Sequence, residues 1–137
     1  MKNIFLDTNI IVDLIADRQP FSKFAIHIFS SAEEDKINLF TSSHSIATTY
    51  YLLKKYIDEK ELRAILYKTL DFIKIVAIDQ DVIKKGLKSK YKDFEDGLQI
   101  ISATTVEKLD CIVTRNVKDF KDSPIPVLAP DELSKYL

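Results

Sequence analysis

The sequence has few of the residues that mark specialised classes of protein. Its 137 residues include one cysteine, two glycines, four prolines and no tryptophan. A single cysteine cannot form an internal disulfide, and so few glycines and prolines exclude collagen-like, repeat and disordered chains. The two histidines, His27 and His44, lie far along the chain from each other and from Cys111, which leaves no zinc-binding spacing. We interpret Cys111 as a small core residue and the histidines as surface or core residues.

Long hydrophobic runs and a strong net charge are also absent. No apolar segment approaches the length of a membrane span, and the chain begins at once with a strand-like segment rather than a signal peptide. We therefore expect one soluble domain over residues 1–137, located in the cytoplasm and without membrane contact. A net charge of −1 at pH 7 argues against a general polyanion binder. Lysines at 84–92 read as a solvated helix face, and cations at 115, 118 and 121 surround a second acidic segment.

Strand-like and helix-like segments alternate along the chain. Short apolar runs predict strands at residues 3–6, 37–41, 72–78, 111–114 and 124–128, the last limited to a sheet edge by proline. Apolar residues at helical spacing predict helices at 10–15, 20–34, 44–56, 58–70, 81–88, from 93 onward, and at 131–136. This alternation predicts an α/β fold with a mostly parallel sheet and helices on both faces.

Three acids occupy residues 93–96, at the start of the sixth predicted helix. Asp93 can cap the helix and Asp96 falls at the third helical position, which is the arrangement of a capping box. Residues 98, 101, 105 and 109 then follow at helical spacing on one predicted face. Capping does not require three acids, so the cluster is more easily accommodated if a cation balances it.

Other acids follow two of the predicted strands. Asp7 ends the first strand, where a side chain either caps the next helix or points into the crevice at the carboxyl edge of the sheet. Asp13 would share a helical face with Asn9, and residues 116–119 follow the fourth strand. Because parallel strands end at one edge, we expect these acids to converge. Carboxylates without histidine or cysteine favour Mg²⁺ or Mn²⁺, which suits phosphodiester hydrolysis.

Three segments resemble the motifs of PIN domains in order and separation: residues 6–11 (LDTNII), 93–99 (DFEDGLQ) and 113–120 (VTRNVKDF). Thr41 and Ser42, with the helix after them, resemble the second motif region of this family, and the turn at 18–21 suits VapC-like bacterial toxins. The resemblance implies a three-layer α/β/α sandwich and a metal-dependent ribonuclease. Such proteins are often toxins held inactive by an antitoxin, so RNA, an antitoxin and a second copy of the chain are the expected partners.

The resemblance also assigns roles by position. Asp7, Asp96 and Asp119 would be the catalytic and metal-site acids, with Asn116 as a further ligand. Thr8 and Asn9 would orient ligands or the attacking water, and Arg115 would contact phosphate or make a structural pair. The remaining supporting positions are Asp13, Ser42, Glu95 and Thr114.

Two departures from the family pattern affect these roles. Thr48 stands where the family usually has Glu, and Gly97 where Ala is usual. Asp13 or Glu95 could replace the missing acid, one metal could be held by three acids and neutral oxygens, or activity could be weak or lost. We favour the single metal, with Asp13 as the best substitute acid.

Two other functions compete with the nuclease. A PIN domain without catalysis could act as an RNA- or partner-binding module. A flavodoxin-like or phosphatase-type domain is disfavoured, because no glycine-rich loop follows the first strand.

Overall fold

A parallel sheet forms the centre of the computed structural model, which describes residues 2–137. Its strands are β1 (Asn3–Leu6), β2 (Asn38–Ser42), β3 (Ile73–Val76), β4 (Cys111–Val113) and β5 (Val127–Leu128). In these described residues they form one five-stranded sheet of order β3-β2-β1-β4-β5, with every neighbouring pair parallel. The predicted mostly parallel α/β fold is confirmed.

Helices connect the strands. They are α1 (Thr8–Ile15), α2 (Ser22–Glu33), α3 (Ser43–Leu53), α4 (Glu59–Thr69), α5 (Gln80–Lys88), α6 (Phe94–Thr104) and α7 (Pro130–Ser134), with a 3-10 helix at Val117–Phe120. Because crossovers between parallel strands place helices on the faces of the sheet, both faces are covered. The expected three-layer α/β/α sandwich is confirmed.

The alternation of side chains along β1 builds two separate cores. Ile4 and Leu6 point to one face, where they join a buried cluster that includes Ile28 of α2. Phe5 points to the other face, where it packs with Ile100 of α6 and Phe120 of the 3-10 helix. All six side chains are fully buried. These cores fix the carboxyl end of β1, and with it Asp7, between two helical layers.

A third cluster joins α3 and α4 to the outer side of α1. Val12, Leu53, Leu62 and Leu66 are buried against one another. This packing holds the end of α3 against α1, while the hydroxyl of Thr8 donates to Oγ of Ser45 at 2.9 Å and joins the starts of the two helices. Two helix N-termini therefore meet at the carboxyl edge of the sheet.

Several predicted bounds are longer than the elements observed. The strand predicted at 72–78 is paired only over Ile73–Val76, because its partner β2 ends at Ser42, which caps α3. The strand predicted at 124–128 forms ladder pairs only at Val127–Leu128. Helix α3 ends at Leu53 rather than at residue 56.

The buried face of α6 also differs from the predicted one. Thr105 lies outside the helix and is exposed, whereas Gln99, Ser102 and Ala103 are buried. The helix packs against both the sheet and α5, so the buried arc is wider than one apolar stripe. Gly97 belongs to this arc: a Cβ there would lie 3.2 Å from Cβ of Tyr91, so a larger residue would require Tyr91 to shift by a few tenths of an ångström.

Cys111 lies in β4 and is fully buried. Burial in the core raises the pKa of its thiol to about 11. The interpretation of Cys111 as a core residue is confirmed.

Among residues 2–137, no helix is long and apolar enough to cross a bilayer.

Candidate metal and catalytic site

A cavity of 220 Å³ opens at the carboxyl edge of the sheet. We call it the carboxylate cavity. It lies where β1 passes into α1, where β2 passes into α3, and beside the start of α6. Its polar lining residues are Asp7, Thr8, Asn9, Arg18, His44, Thr48, Glu95, Asp96, Gln99 and Asn116.

Asp7 accepts more hydrogen bonds than the other acids that line the carboxylate cavity. Its side chain is 6% exposed and caps α1. Oδ1 accepts hydrogen bonds from the backbone of Thr8 at 2.8 Å and from Nε2 of Gln99 at 3.0 Å. Oδ2 accepts from Oγ1 of Thr114 at 2.7 Å and from Nδ2 of Asn9 at 3.4 Å. Four donors thus compensate the cost of burying this charge and fix its orientation.

Gln99 connects Asp7 to the start of α3. Besides Asp7, its Nε2 donates to Oγ of Ser45 at 2.7 Å, while its Oε1 accepts from Oγ of Ser42 at 2.5 Å. Ser45 also accepts from the hydroxyl of Thr8 at 2.9 Å, so its own proton is directed to Ser42, 3.2 Å away. Every member of this buried chain therefore has a partner, which is the condition for a stable polar network.

Asp96 occupies the first turn of α6, whose N-cap is Asp93. Desolvation raises the pKa of Asp96 to about 6, with further increases from Asp93, Asp7, Asp119 and Glu95 in that order. Like charges in a partly buried site disfavour the carboxylate form. The cavity therefore carries an excess of negative charge, and Asp96 is the group most sensitive to it.

Asp119 lies on the 3-10 helix, outside the lining of the carboxylate cavity, and is exposed. Its charge still reaches the site, because it helps to raise the pKa of Asp96. Asn116, at the start of the same helix, lines the cavity, and its backbone N–H donates to Oγ1 of Thr114 at 3.1 Å. The structure thus brings Asp7, Asp96 and Asn116 to one cavity and leaves Asp119 at its edge.

Asp13 has a different position from the one expected of a substitute acid. It is 1% exposed, and its two oxygens accept hydrogen bonds from Arg115, with Nε–Oδ2 and Nη2–Oδ1 distances of 2.6 and 3.2 Å. Arg18 lies 3.9 Å away, and the guanidinium of Arg115 lies 4.2 Å from the ring centroid of Phe21. The expectation for Asp13 needs correction, because its carboxylate is already paired. Arg115 makes the structural pair rather than facing the cavity as a phosphate contact.

Thr48 and His44 lie one helical turn apart on the cavity side of α3. Nε2 of His44 is 3.3 Å from Oγ1 of Thr48 and 3.6 Å from Oε2 of Glu95, whose side chain is 67% exposed. The position that usually carries Glu in the family thus presents a neutral hydroxyl. His44 is a cavity residue, which the interpretation as a surface or core histidine did not anticipate.

The donors of the carboxylate cavity fit a hard divalent cation in kind, although they do not form a complete set of protein ligands. Carboxylate, amide and hydroxyl oxygens line it, and these are ligands of Mg²⁺ and Mn²⁺. In the part of the chain described, no three His, Cys, Asp or Glu side chains lie close enough to form a ready-made metal site. Mg²⁺ commonly uses one or two carboxylates plus water and substrate phosphates. Asp7 and Asp96 satisfy that smaller requirement.

The fold and the site together define a parallel α/β protein with an acidic oxygen-donor cavity at the carboxyl edge of its sheet. A family model described as "PIN domain" matches residues 3–118. The chain belongs to the PIN domain family, which confirms the resemblance read from its motifs. The ribonucleases of this family are generally dependent on divalent metal ions.

Individual relatives agree with this assignment. The chain is 29% identical to Ribonuclease VapC1 of Aquifex aeolicus, over 96% of this chain and 92% of the relative. A toxin-antitoxin complex from Klebsiella pneumoniae contains a chain with 27% identity and a TM-score of 0.68, over 93% of this chain and 98% of that one. VapBC2 from Rickettsia felis, bound to a DNA fragment from their promoter, has 19% identity and a TM-score of 0.68, over 92% and 97%. At that identity the likeness concerns the fold alone.

Two residues of the network were not singled out from the sequence, Gln99 and Ser45. Gln99 carries a usable signal, because it is a polar residue among apolar ones and lies three positions after Asp96, on the same side of α6. Ser45 carries none. Its role depends on how closely α3 approaches α6.

Replacing Gln99 with leucine should destabilise the protein. Gln99→Leu leaves Ser42 without its acceptor and removes donors from Asp7 and Ser45, which should lower the free energy of unfolding by about 1–3 kcal/mol. Urea unfolding monitored by circular dichroism measures this change. Gln80→Leu, at an exposed position of α5, is the control and should change stability by less than about 0.5 kcal/mol. Equal stability of the two variants would contradict the role given to the network.

The raised pKa of Asp96 predicts a pH-dependent stability in the absence of metal. Its folded pKa of about 6 exceeds the ordinary value of 3.8, so the folded state binds more protons between these values. The free energy of unfolding should therefore fall as pH rises through this range and stay lower above it. Asp96→Asn removes this dependence. Thermal unfolding of both proteins in a chelator should show their midpoints diverging with rising pH, and parallel curves would contradict the assignment.

Proposed function

We propose that this protein is an endoribonuclease that uses Mg²⁺ or Mn²⁺ and acts as the toxin of a toxin–antitoxin pair. The observation that carries the proposal is the meeting of Asp7 and Asp96 in one cavity lined by oxygen donors. The similarity to Ribonuclease VapC1 supports RNA as the substrate. The alternative, a binding module without catalysis, would not require two carboxylates to be kept together against their repulsion.

Asp7 and Asp96 would hold the cation, with the amide oxygen of Asn116 as a neutral ligand. A bound divalent cation supplies activation of water and stabilisation of the charge that develops on the scissile phosphate. The donors around Asp7 hold its carboxylate in one orientation. Thr8 and Asn9 belong to that support, because Thr8 donates to Ser45 and Asn9 donates to Asp7. Asp119 adds negative charge from outside the cavity lining.

An antitoxin is the expected protein partner. The Klebsiella pneumoniae chain, 27% identical, belongs to a toxin-antitoxin complex, and this supports a partner of the same kind here. Since the proposed substrate is cellular RNA, a cytoplasmic location completes the proposal. A homodimer follows from the family resemblance.

Replacing Asp96 tests the nuclease directly. Asp96→Asn should abolish binding of Mn²⁺ in calorimetry and lower RNA cleavage at least about a hundredfold, because metal catalysis contributes several kcal/mol. Asp81→Asn, in the first turn of α5 and away from the cavity, is the matched control and should behave as wild type. Wild-type protein that neither binds Mn²⁺ nor cuts RNA would favour the binding module instead.

Restoring an acid at residue 48 tests the consequence of its absence. Thr48→Glu adds a carboxylate to the cavity lining, so the Kd for Mn²⁺ should fall about tenfold. Thr48→Gln has the same shape without the charge and should leave the Kd near that of wild type. Calorimetry with both variants separates charge from packing. The same Kd in both would show that residue 48 does not face the metal.

A further inference from the structure

The carboxylate cavity alone is a poor binding site for RNA. Asp7, Asp96 and Glu95 line it, and Arg18 is its one lysine or arginine among the described residues. Carboxylates repel the phosphates of the substrate, and the net charge of −1 provides no general attraction. Affinity for RNA must therefore come from a neighbouring surface with cations or aromatic rings.

A second cavity, of 660 Å³, adjoins the first. It lies between the end of α1, the end of α3 and the turn that leads to α4. Aliphatic side chains form its floor, Tyr51 and Tyr56 form part of its wall, and Arg18 and Lys55 are its charged residues. No acid lines it within residues 2–137. We call it the tyrosine groove.

The tyrosine groove continues directly into the carboxylate cavity. Val12, Arg18 and Leu52 line both. Three other cavities contain lysines, one beside Lys84, Lys85 and Lys88, one beside Lys118 and Lys121, and one beside Lys68, but none shares a lining residue with the carboxylate cavity. Of these cationic surfaces, the tyrosine groove is the one continuous with the proposed site of cleavage.

The two tyrosines are available for stacking. Tyr51 is 64% exposed and Tyr56 is 82% exposed. Nζ of Lys54 lies 4.8 Å from the centroid of the Tyr51 ring, which places a further cation at the rim. Exposed aromatic rings beside cations are the combination by which proteins bind single-stranded nucleic acid, with bases on the rings and phosphates on the cations.

We propose that the tyrosine groove binds the unpaired bases of single-stranded RNA next to the scissile phosphate. Tyr51 and Tyr56 stack with bases, Lys55 contacts a phosphate, and Arg18 contacts the phosphate at the junction of the two cavities. This inference rests on the proposed function, because it assigns a subsite to the same RNA substrate. It also predicts a preference for unpaired RNA, since bases within a duplex cannot reach the rings.

The test measures RNA affinity without cleavage. Every variant carries Asp96→Asn, and binding of a fluorescein-labelled single-stranded RNA of about 12 nucleotides is followed by fluorescence anisotropy. Tyr51→Ala and Tyr56→Ala should each raise the Kd about tenfold, whereas Tyr56→Phe, which keeps the ring, should leave it unchanged. Tyr67→Ala is the matched control, because Tyr67 is 78% exposed on α4 and lines neither cavity. Thermal unfolding checks that all variants are folded.

The outcomes separate this inference from the proposed function. If the protein with Asp96 intact cuts RNA but both alanine variants keep their affinity, the groove proposal is overturned alone, and the groove is left for a protein partner. If the protein neither binds nor cuts RNA, both proposals fail. Binding that depends on the tyrosines without cleavage would support the groove and overturn the nuclease.

Discussion

The buried carboxylate of Asp7 is the constraint around which the site is built. A charge that is 6% exposed requires compensation, and Asp7 receives it from four donors that come from α1, α6 and the end of β4. Because two of these donors, Gln99 and Thr114, are 92 and 107 positions away in sequence, Asp7 keeps its partners only when α6 and the end of β4 are correctly packed beside it. The same hydrogen bonds that lower the cost of burial also orient the carboxylate toward the cavity.

Asp96 illustrates the opposite situation. Its neighbours are mostly acids, and desolvation together with Asp93 and Asp7 raises its pKa to about 6. Such a group opposes folding at neutral pH unless a cation is bound. Clustered acids destabilise the fold without a ligand but attract a divalent cation. Such an arrangement is typical of functional sites, where part of the protein's stability is lost so that a ligand can be bound.

The sequence predicts the parts of the site that depend on element ends. Asp7 follows an apolar strand and Asp93 precedes an apolar helix, and both positions follow from hydrophobic patterning and capping preferences. The pairing of Asp13 with Arg115 could not be predicted in this way. Its spacing from Asn9 gives the helical face but not what packs against that face, and the partner, Arg115, is 102 positions away. The role of Gln99 likewise depends on tertiary packing, because its amide links Asp7 to Ser42 only where α3 approaches α6.

The absence of an acid at Thr48 changes how α3 contributes to the site. Instead of a ligand, the start of α3 supplies hydroxyls. Ser42 donates a hydrogen bond to Gln99, and Gln99 donates hydrogen bonds to Ser45 and to Asp7. The cavity therefore carries one negative charge fewer than a site with Glu at that position would. Repulsion of an incoming phosphate is correspondingly weaker, and so is attraction of the metal. Under the proposed function, a metal held by two carboxylates would need substrate oxygens to complete its coordination, so metal binding would be coupled to binding of RNA in the adjoining groove.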